Sequence, residues 1–356
     1  MHSAKFENER NSKNILSAVQ RYNISHPVVN DHDMDMWEKC DVHCWPTLLL
    51  LGPRANPLVM VMGEGHKEDL KLYIKNALMY YKSVGEISEH LLPVKPASRL
   101  LSQIKKPLLF PGKVVSFVDG SGNETLAISD SGNHRILITN TDGIVKHTVG
   151  GIDSGFVDGS FAVARFNSPQ GISFRNSNTI FVADTENHSI RKINLCDGTV
   201  ETVAGTGKQG NDKKGGPDGK SIELSSPWDV CVYRHTASNN TVKDVLLIAM
   251  AGTHQIWALF LDKTVWWKSN KIAAGSCIAI AGNGREENRN NQYPHAASFA
   301  QPSGLALAQR NEEVFIADSE SSSVRRLSLK NGMVTAVVGG NRNPLVRGIP
   351  NKQLTI

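Results

Sequence analysis

Two kinds of side chain in this sequence could do chemistry: cysteine thiols near the N-terminus and an aspartate–histidine pattern that recurs further along. Cys40 and Cys44 are separated by three residues, and His43 could supply a cation beside Cys44. A thiolate becomes reactive beside a cation or at a helix N-terminus, and no helix start is evident here. Structural or incidental thiols are the favoured interpretation and a redox role is the alternative. A zinc role is less favoured, because zinc normally takes four ligands and no second pair of cysteines follows.

The recurring pattern places aspartates and histidines at fixed positions of a repeated segment. Its members are Asp130, Asp184 and Asp318, and His134, His188 and His254. Three histidines could surround a metal in a central channel, but the fourth copy has Ser322 at the histidine position. Recurrence in register indicates a structural task in every copy, with the carboxylate accepting bonds from turn amides and the imidazole bonding across the sheet. The sequence thus predicts no metal site, no cofactor and no catalytic residue.

Glycine strings and tryptophans are the other candidates for function. Gly205-Thr-Gly207 and Gly282-Asn-Gly284 do not open a helix after a strand, so they are not phosphate loops. Trp266 and Trp267 follow the third copy of the pattern, and the sequence leaves open whether they pack inside the fold or anchor a partner.

The repeat itself organises residues 108–340. Four segments, residues 126–138, 181–193, 247–259 and 315–327, each show an apolar strand, a polar turn and a second strand with alternating apolar positions. Three of them follow a proline-centred start, at Pro169, Pro227 and Pro302, and Pro111-Gly112 is a fainter version before the first. An apolar strand that ends in glycine follows each segment. Four-stranded antiparallel units that repeat in this way predict the blades of a β-propeller.

Residues 1–82 differ in character. Residues 9–21 and 68–82 have a helical pattern, and Thr47–Leu51 and Pro57–Met62 are predicted as strands, the first of them buried. This alternation indicates an α/β unit. Residues 83–106 mix charge, serine and proline and are predicted as a linker.

Composition and charge exclude several classes of protein. With 40% hydrophobic residues the chain is not mostly disordered. No apolar run approaches the roughly 18 residues of a bilayer-spanning helix, and the N-terminus lacks the apolar core of a secretory signal. Five scattered cysteines fit a reducing compartment, so we expect a cytoplasmic protein with no membrane partner. Residues 108–340 carry 22 Lys/Arg and 22 Asp/Glu, which gives no support for a strong phosphate binder.

The motifs also resemble a known family. Residues 184–193, preceded by Asn-Ser-Pro-Gln-Gly and followed by Ala-Gly-Thr-Gly, resemble the NHL repeat, and Trp45-Pro46-Thr47 resembles the cis-proline step of thioredoxin-like domains. Over about residues 1–340 the chain is similar to the family of NHL-repeat-containing proteins in which a thioredoxin-like domain precedes a propeller.

The resemblance implies a multidomain fold: a partial α/β thioredoxin-like domain (1–82), a linker (83–107), an all-β NHL-type β-propeller (108–340) and a divergent tail (341–356). About four blades are present of an expected six. The family's redox Cys-x-x-Cys lies upstream of the segment that residues 1–6 resemble. We therefore expect that motif to be absent and the chain to be shortened at both ends.

The function predicted from these features is a non-catalytic protein-interaction or scaffold module with protein partners. Two alternatives stay open: a thiol-disulfide oxidoreductase, in a longer product only, and an RNA-binding propeller, which the charge balance disfavours. Four blades of a wider ring would leave open edges, so self-association is also expected.

Overall fold

The structure, a computed structural model, describes residues 2–4, 7–22, 24–63, 65–90, 107–151, 153–236, 241–267 and 270–340. The chain divides into two compact units, residues 1–106 and residues 107–356. The predicted tail and most of the predicted linker lie outside the described residues. Within the described part of the chain, no helix is both long enough and apolar enough to cross a membrane.

The first unit combines helices with one antiparallel pair of strands. Its elements are a 3-10 turn (Glu7–Arg10), α1 (Ser12–Arg21), α2 (Asp35–Lys39), β1 (Thr47–Leu51), β2 (Pro57–Met62) and α3 (Lys67–Ser83). β1 and β2 have the predicted bounds and pair antiparallel. Helix α2 is an element that the sequence pattern does not predict.

Side-chain hydrogen bonds explain where α1 and α2 begin. The helix predicted over residues 9–21 is interrupted at Asn11, whose side chain accepts a hydrogen bond from the Lys13 amide at 2.9 Å and starts α1. The carboxylate of Asp31 accepts bonds from the amides of Met36 and Trp37 at 2.9 and 3.0 Å and thereby starts α2. These caps are local polar contacts that hydrophobic periodicity does not report.

The prediction that β1 is a buried strand is wrong. Leu48 and Leu51 are 42% and 48% exposed, and no residue of β1 is fully buried. Among the described residues β1 has one strand neighbour, β2, so its second edge and part of its surface stay open to solvent.

The second unit is the predicted propeller, with four sheets that we call blades 1 to 4. Blade 1 consists of β3 (Val114–Val118), β4 (Glu124–Asp130), β5 (Arg135–Asn140) and β6 (Val145–Gly150). Blade 2 consists of β7 (Gly159–Ser160), β8 (Pro169–Asn176), β9 (Thr179–Asp184), β10 (Ser189–Asn194) and β11 (Thr199–Ala204).

The later blades follow the same plan. Blade 3 consists of β12 (Gly215–Gly216), β13 (Pro227–Thr236), β14 (Val242–Met250), β15 (Gln255–Phe260) and β18 (Cys277–Ala281), with an inserted hairpin of β16 (Thr264–Trp266) and β17 (Asn270–Ile272). Blade 4 consists of β19 (Pro302–Ala308), β20 (Glu313–Asp318), β21 (Ser323–Ser328) and β22 (Val334–Gly339).

Each blade is an antiparallel meander of the predicted four strands. The short strands β7 and β12 add a fifth strand beside the last strand of blades 2 and 3, and the sequence pattern does not predict them. The first strands of successive blades, β3, β8, β13 and β19, lie next to each other at the centre of the unit.

The apolar core lies between neighbouring blades, as a propeller requires. One cluster joins blades 1 and 2 and includes Ile136, Ile138, Phe166, Ile172 and Val182. A second joins blades 2 and 3 through Phe181, Ile190, Val230, Ile248 and Trp257, and a third joins blades 3 and 4 through Phe260, Phe299, Val314, Ile316 and Leu327.

The two end blades are less covered on their outward faces. Val114 and Val118 on β3 are 59% and 57% exposed, and Val338 on β22 is 43% exposed. These are the faces that a further neighbouring sheet would cover in a wider ring.

Candidate functional site

The recurring aspartates hold the start of their own blade. Each side chain accepts a hydrogen bond from the backbone amide two residues before the proline that begins the blade. The pairs are Asp130 with Leu109, Asp184 with Asn167 and Asp318 with Ala300, each at 2.7 Å. The aspartate ends the second strand, so this bond ties the incoming chain to the sheet interior.

Two of these aspartates also bind a buried arginine that sequence reasoning missed. Arg191 donates to Asp184 at 2.8 Å and Arg325 to Asp318 at 3.3 Å, and all four side chains are fully buried. In blade 1 the partner is Arg135 at 2.8 Å, which remains 23% exposed. Burial raises the pKa of Asp184 to about 6, although Arg191 and the hydrogen bonds to Asn167 and Asn187 act in the opposite direction. The signal was present in the sequence, since an arginine follows the aspartate by seven residues in both repeats.

Blade 3 replaces this ion pair with apolar side chains. Met250 stands at the aspartate position and Trp257 at the arginine position, and both are buried in the core between blades 2 and 3. The paired replacement is consistent with the cost of burying one ion without its partner. It therefore supports a structural role for the aspartate position.

The recurring histidines bond to the next blade. In each case Nδ1 accepts a hydrogen bond from the amide of the residue before the proline that starts the following blade. The pairs are His134 with Ser168 at 3.0 Å, His188 with Ser226 at 3.0 Å and His254 with Gln301 at 3.2 Å. Because Nδ1 accepts, the neutral imidazole carries its proton on Nε2. We call these three contacts the blade latches.

The latch geometry depends on left-handed backbone on both sides. The three histidines have φ between 47° and 54°, and their partners Ser168, Ser226 and Gln301 have φ between 46° and 55°. Ser322 holds the histidine position of blade 4 with φ of 48°. Phe110, before Pro111, has φ of 47° and so repeats the conformation of the latch donors at the start of blade 1.

The histidines do not converge on a metal. Each lies at a different interface between blades, and the part of the chain that the structure describes contains no group of three or more His, Cys, Asp or Glu side chains able to hold a metal ion. Half-burial lowers the pKa of His134 and of His188, opposed by Asp153 and Glu186 respectively.

An ion pair at the centre of the propeller is a second feature that sequence reasoning missed. Lys113 Nζ donates to both carboxylate oxygens of Asp229 at 2.6 and 2.8 Å, and Asp229 also accepts the amide of Leu305 at 2.8 Å. A Cβ added at Gly171 would lie 2.4 Å from the Cα of Asp229. Asp229 of blade 3 thus contacts blades 1, 2 and 4.

The signal for this pair lies in the proline-centred starts. The residue two positions after each starting proline is Lys113, Gly171, Asp229 and Gly304 in blades 1 to 4. Opposite charges occupy blades 1 and 3, and glycines leave room in blades 2 and 4. Burial raises the pKa of Asp229, and Lys113 and the hydrogen bonds oppose that rise.

The candidate thiols of the first unit are free. Cys40 follows the C-terminal end of α2, which is not the helix end that activates a thiolate. Cys44 lies 3.8 Å from the hydroxyl of Thr47, just before the cis peptide bond of Trp45 and Pro46. In the propeller, burial raises the pKa of Cys231 to about 11 and that of Cys277 to about 12, so both stay protonated at neutral pH.

The tryptophans after the third repeat pack inside the propeller. Trp266 is 5% exposed, and Trp267 donates from Nε1 to the carbonyl of Leu329 at 2.5 Å. The packing alternative is therefore the correct one, because the β16–β17 hairpin folds these rings against blades 3 and 4.

Two long loops between blades contact each other. Residues 205–226, which include the short strand β12, join β11 of blade 2 to β13 of blade 3, and residues 282–301 join β18 of blade 3 to β19 of blade 4. Lys213 Nζ of the first loop donates to the carbonyl of Gly284 in the second at 2.6 Å. We call these two loops together the paired-loop surface. It carries six Lys/Arg and five Asp/Glu, and its Tyr293 is 61% exposed.

Comparisons with known proteins agree with this architecture. The NHL repeat family model matches residues 166–193, which run from Phe166 into β10 of blade 2. NHL repeat-containing protein 2 of Gallus gallus is 53% identical to the chain over 347 residues, and the Homo sapiens protein of that name is 52% identical. Each match covers 97% of this chain and 47% of the relative.

A plant protein matches the same length of chain. Protein SUPPRESSOR OF QUENCHING 1, chloroplastic, of Arabidopsis thaliana is 40% identical over 347 residues, which are 96% of this chain and 31% of that protein. The chain thus spans about half the length, or less, of the curated relatives it matches. The four repeated blades and the identity along nearly all of its sequence show that the chain is similar to NHL repeat-containing protein 2 over the part of that protein that it spans.

Proposed function

We propose that the chain is a non-catalytic protein-interaction module in which the propeller presents the paired-loop surface to a protein partner. The paired-loop surface is the observation that carries this proposal. Propeller blades are a rigid frame, and recognition usually lies in the loops that such a frame positions. The recurring aspartates and histidines hold the blades, whereas the loops between the blades differ in sequence from one repeat to the next.

The chemistry of the surface favours a protein partner over a nucleic acid. Its six cations against five anions give little net charge, whereas phosphate binding requires a clear excess of cations. Tyrosine and arginine dominate the energetics of protein interfaces. Tyr293 and Arg289 are exposed on the second loop, and backbone bonds at both residues hold that loop in place.

The first unit belongs to the same proposal as part of a thioredoxin-like domain without redox activity. Its support is the Trp45-Pro46-Thr47 step of the sequence, the antiparallel β1–β2 hairpin and the helix α3 that follows it. This sequence contains no Cys-x-x-Cys, so Cys40 and Cys44 lack the arrangement that reduces disulfides. The free thiols fit a cytoplasmic location.

The test compares two similarly exposed tyrosines. The full chain, its Tyr293→Ala variant and its Tyr22→Ala variant are immobilised, and retained proteins are identified by mass spectrometry with and without ribonuclease. Tyr22 is 66% exposed and lies in the first unit, so it is a matched control.

We expect a set of proteins that the wild-type chain and Tyr22→Ala retain and Tyr293→Ala loses. Retention of the same set by all three chains would contradict binding through the paired-loop surface. Loss of the set on ribonuclease treatment would favour the RNA-binding alternative.

A further inference from the structure

The three blade latches share one chemical requirement. Each latch needs a lone pair on Nδ1 of a histidine, and only the neutral imidazole has it. A protonated imidazole carries hydrogen on both nitrogens, so it would face the amide of Ser168, Ser226 or Gln301 with a second donor. The contact would then change from a hydrogen bond to a repulsion between two N–H groups.

We propose that His134 and His188 make the contacts between neighbouring blades acid-labile, so that the propeller loosens at the interfaces of blade 1 with blade 2 and of blade 2 with blade 3 as the pH falls below neutrality. Each interface between described blades has one latch: His134 joins blades 1 and 2, His188 joins blades 2 and 3, and His254 joins blades 3 and 4. Because the interfaces at His134 and His188 share the same contact, they respond to protons together.

The charged groups around the latches do not remove this sensitivity. Asp153, in the loop after β6, is the carboxylate that acts on His134. Glu186, in the turn just before His188, is the carboxylate that acts on His188. Both carboxylates favour the protonated imidazole, but desolvation is the larger effect at each histidine. The following blade contributes uncharged groups: Ser168 at the first latch, the amide and hydroxyl of Ser226 at the second, and Gln301 at the third.

The sign of the pH dependence follows from burial. The pKa of His134 and of His188 lies below the ordinary value, so the unfolded chain binds more protons than the folded chain as the pH falls. The stability that these latches give is complete above the unfolded pKa of about 6.5 and is lost as the pH falls through the folded pKa.

The latches also anchor the paired-loop surface. Ser226 is the last residue of the first loop, so protonation of His188 releases the point at which that loop enters blade 3. The inference does not depend on the proposed function, because the loosening is measurable without any partner.

The experiment measures stability and local opening in the full chain. The double variant His134→Asn and His188→Asn removes these two titrating groups while keeping a residue type that tolerates left-handed φ. His147→Asn is the control, because His147 is exposed on β6 and forms no latch. Urea midpoints are measured at pH 7.5, 6.5 and 5.5, and hydrogen exchange of peptides containing Ser168 and Ser226 is corrected for intrinsic rates. The single variant His188→Asn replaces the double variant if the latter does not fold.

We expect the urea midpoint of the wild type to exceed that of the double variant at pH 7.5 and the gap to narrow steadily toward pH 5.5. The His147→Asn chain should follow the wild type. Protection at Ser168 and Ser226 should fall with pH in the wild type more than in the double variant. Other titrating groups, including Asp184, are common to all chains and cancel in the gap. A gap that stays constant or widens on acidification would overturn the inference.

Discussion

The ion pair between Lys113 and Asp229 allows the most specific prediction about this propeller. The lysine side chain is 27% exposed and that of Asp229 is 6% exposed. Lys113→Met therefore leaves a buried carboxylate without its cation, whereas Asp229→Asn leaves a lysine that can turn toward solvent. We expect the lysine substitution to be the more damaging of the two.

The burial of each side chain determines how much each substitution should lower the free energy of unfolding. Removing one partner of a buried pair destabilises by about 3–5 kcal/mol, which we expect for Lys113→Met. Asp229→Asn keeps an acceptor for the amide of Leu305 and loses a charge-assisted hydrogen bond, for which we expect about 1.5–3 kcal/mol. The double variant removes both charges, so its cost should approach that of Asp229→Asn alone. The coupling energy in the cycle is then about 3–5 kcal/mol.

The pH dependence of the cost of Lys113→Met distinguishes loss of the charge from loss of packing. Burial already raises the pKa of Asp229, and loss of Lys113 removes the charge that opposes this rise. A carboxyl whose folded pKa lies above its unfolded value of about 3.9 destabilises the fold most when it is ionised. The cost of Lys113→Met should therefore shrink between pH 7.5 and pH 5, while that of the double variant should not.

Urea unfolding followed by tryptophan fluorescence provides the assay. Four of the six tryptophans lie in residues 107–356, so the signal reports mainly on the propeller. The first unit is analysed as a separate transition where one is resolved. Two results would refute the argument from burial. One is that Asp229→Asn lowers the free energy of unfolding as much as Lys113→Met does, and the other is that the effects of the two substitutions add up in the double variant.

Four further predictions concern the recurring motif, the thiols and the open edges. His188→Ala should lower the free energy of unfolding by about 1–3 kcal/mol, because the amide of the next blade loses its acceptor; stoichiometric zinc or iron in the purified protein that the variant lacks would contradict this role. Asp318→Ala should cost more free energy of unfolding than Asp130→Ala in urea, because it removes the carboxylate from a fully buried Arg325, whereas Arg135 is 23% exposed; equal costs would show that burial of the arginine does not decide the effect. Insulin reduction should not exceed that of a Cys44→Ser control, and turnover that this substitution abolishes would revive the oxidoreductase alternative. Light scattering should show self-association through the outward faces of blades 1 and 4, whereas a monodisperse monomer that melts cooperatively would show that the blades have closed on themselves.

The sequence by itself predicts the elements of the propeller well. Strand pairs such as β9 and β10 follow from alternating apolar residues around a short polar turn, and the proline-centred starts mark β8, β13 and β19. These signals are local, since a strand, its turn and its partner lie within about a dozen residues of each other in the repeat. The repeat then multiplies the signal and predicts the class of fold.

The tertiary structure alone decides what the recurring polar residues do. Asp184 and His188 are four residues apart in one turn, yet the first bonds to the start of its own blade and the second to the start of the next. Spacing along the chain does not distinguish these partners, because the difference arises only when two blades pack side by side.

The same reason explains the central ion pair and the tryptophans. Lys113 and Asp229 are separated by 116 residues, and their charges become partners only when the first strands of the blades meet at the centre. The sequence leaves open whether Trp266 packs inside the fold or binds a partner, and the β16–β17 hairpin places it against blades 3 and 4. Local backbone preferences determined the strands and turns, whereas contacts between blades depend on how complete sheets pack, and that packing determined the roles of the polar and aromatic side chains.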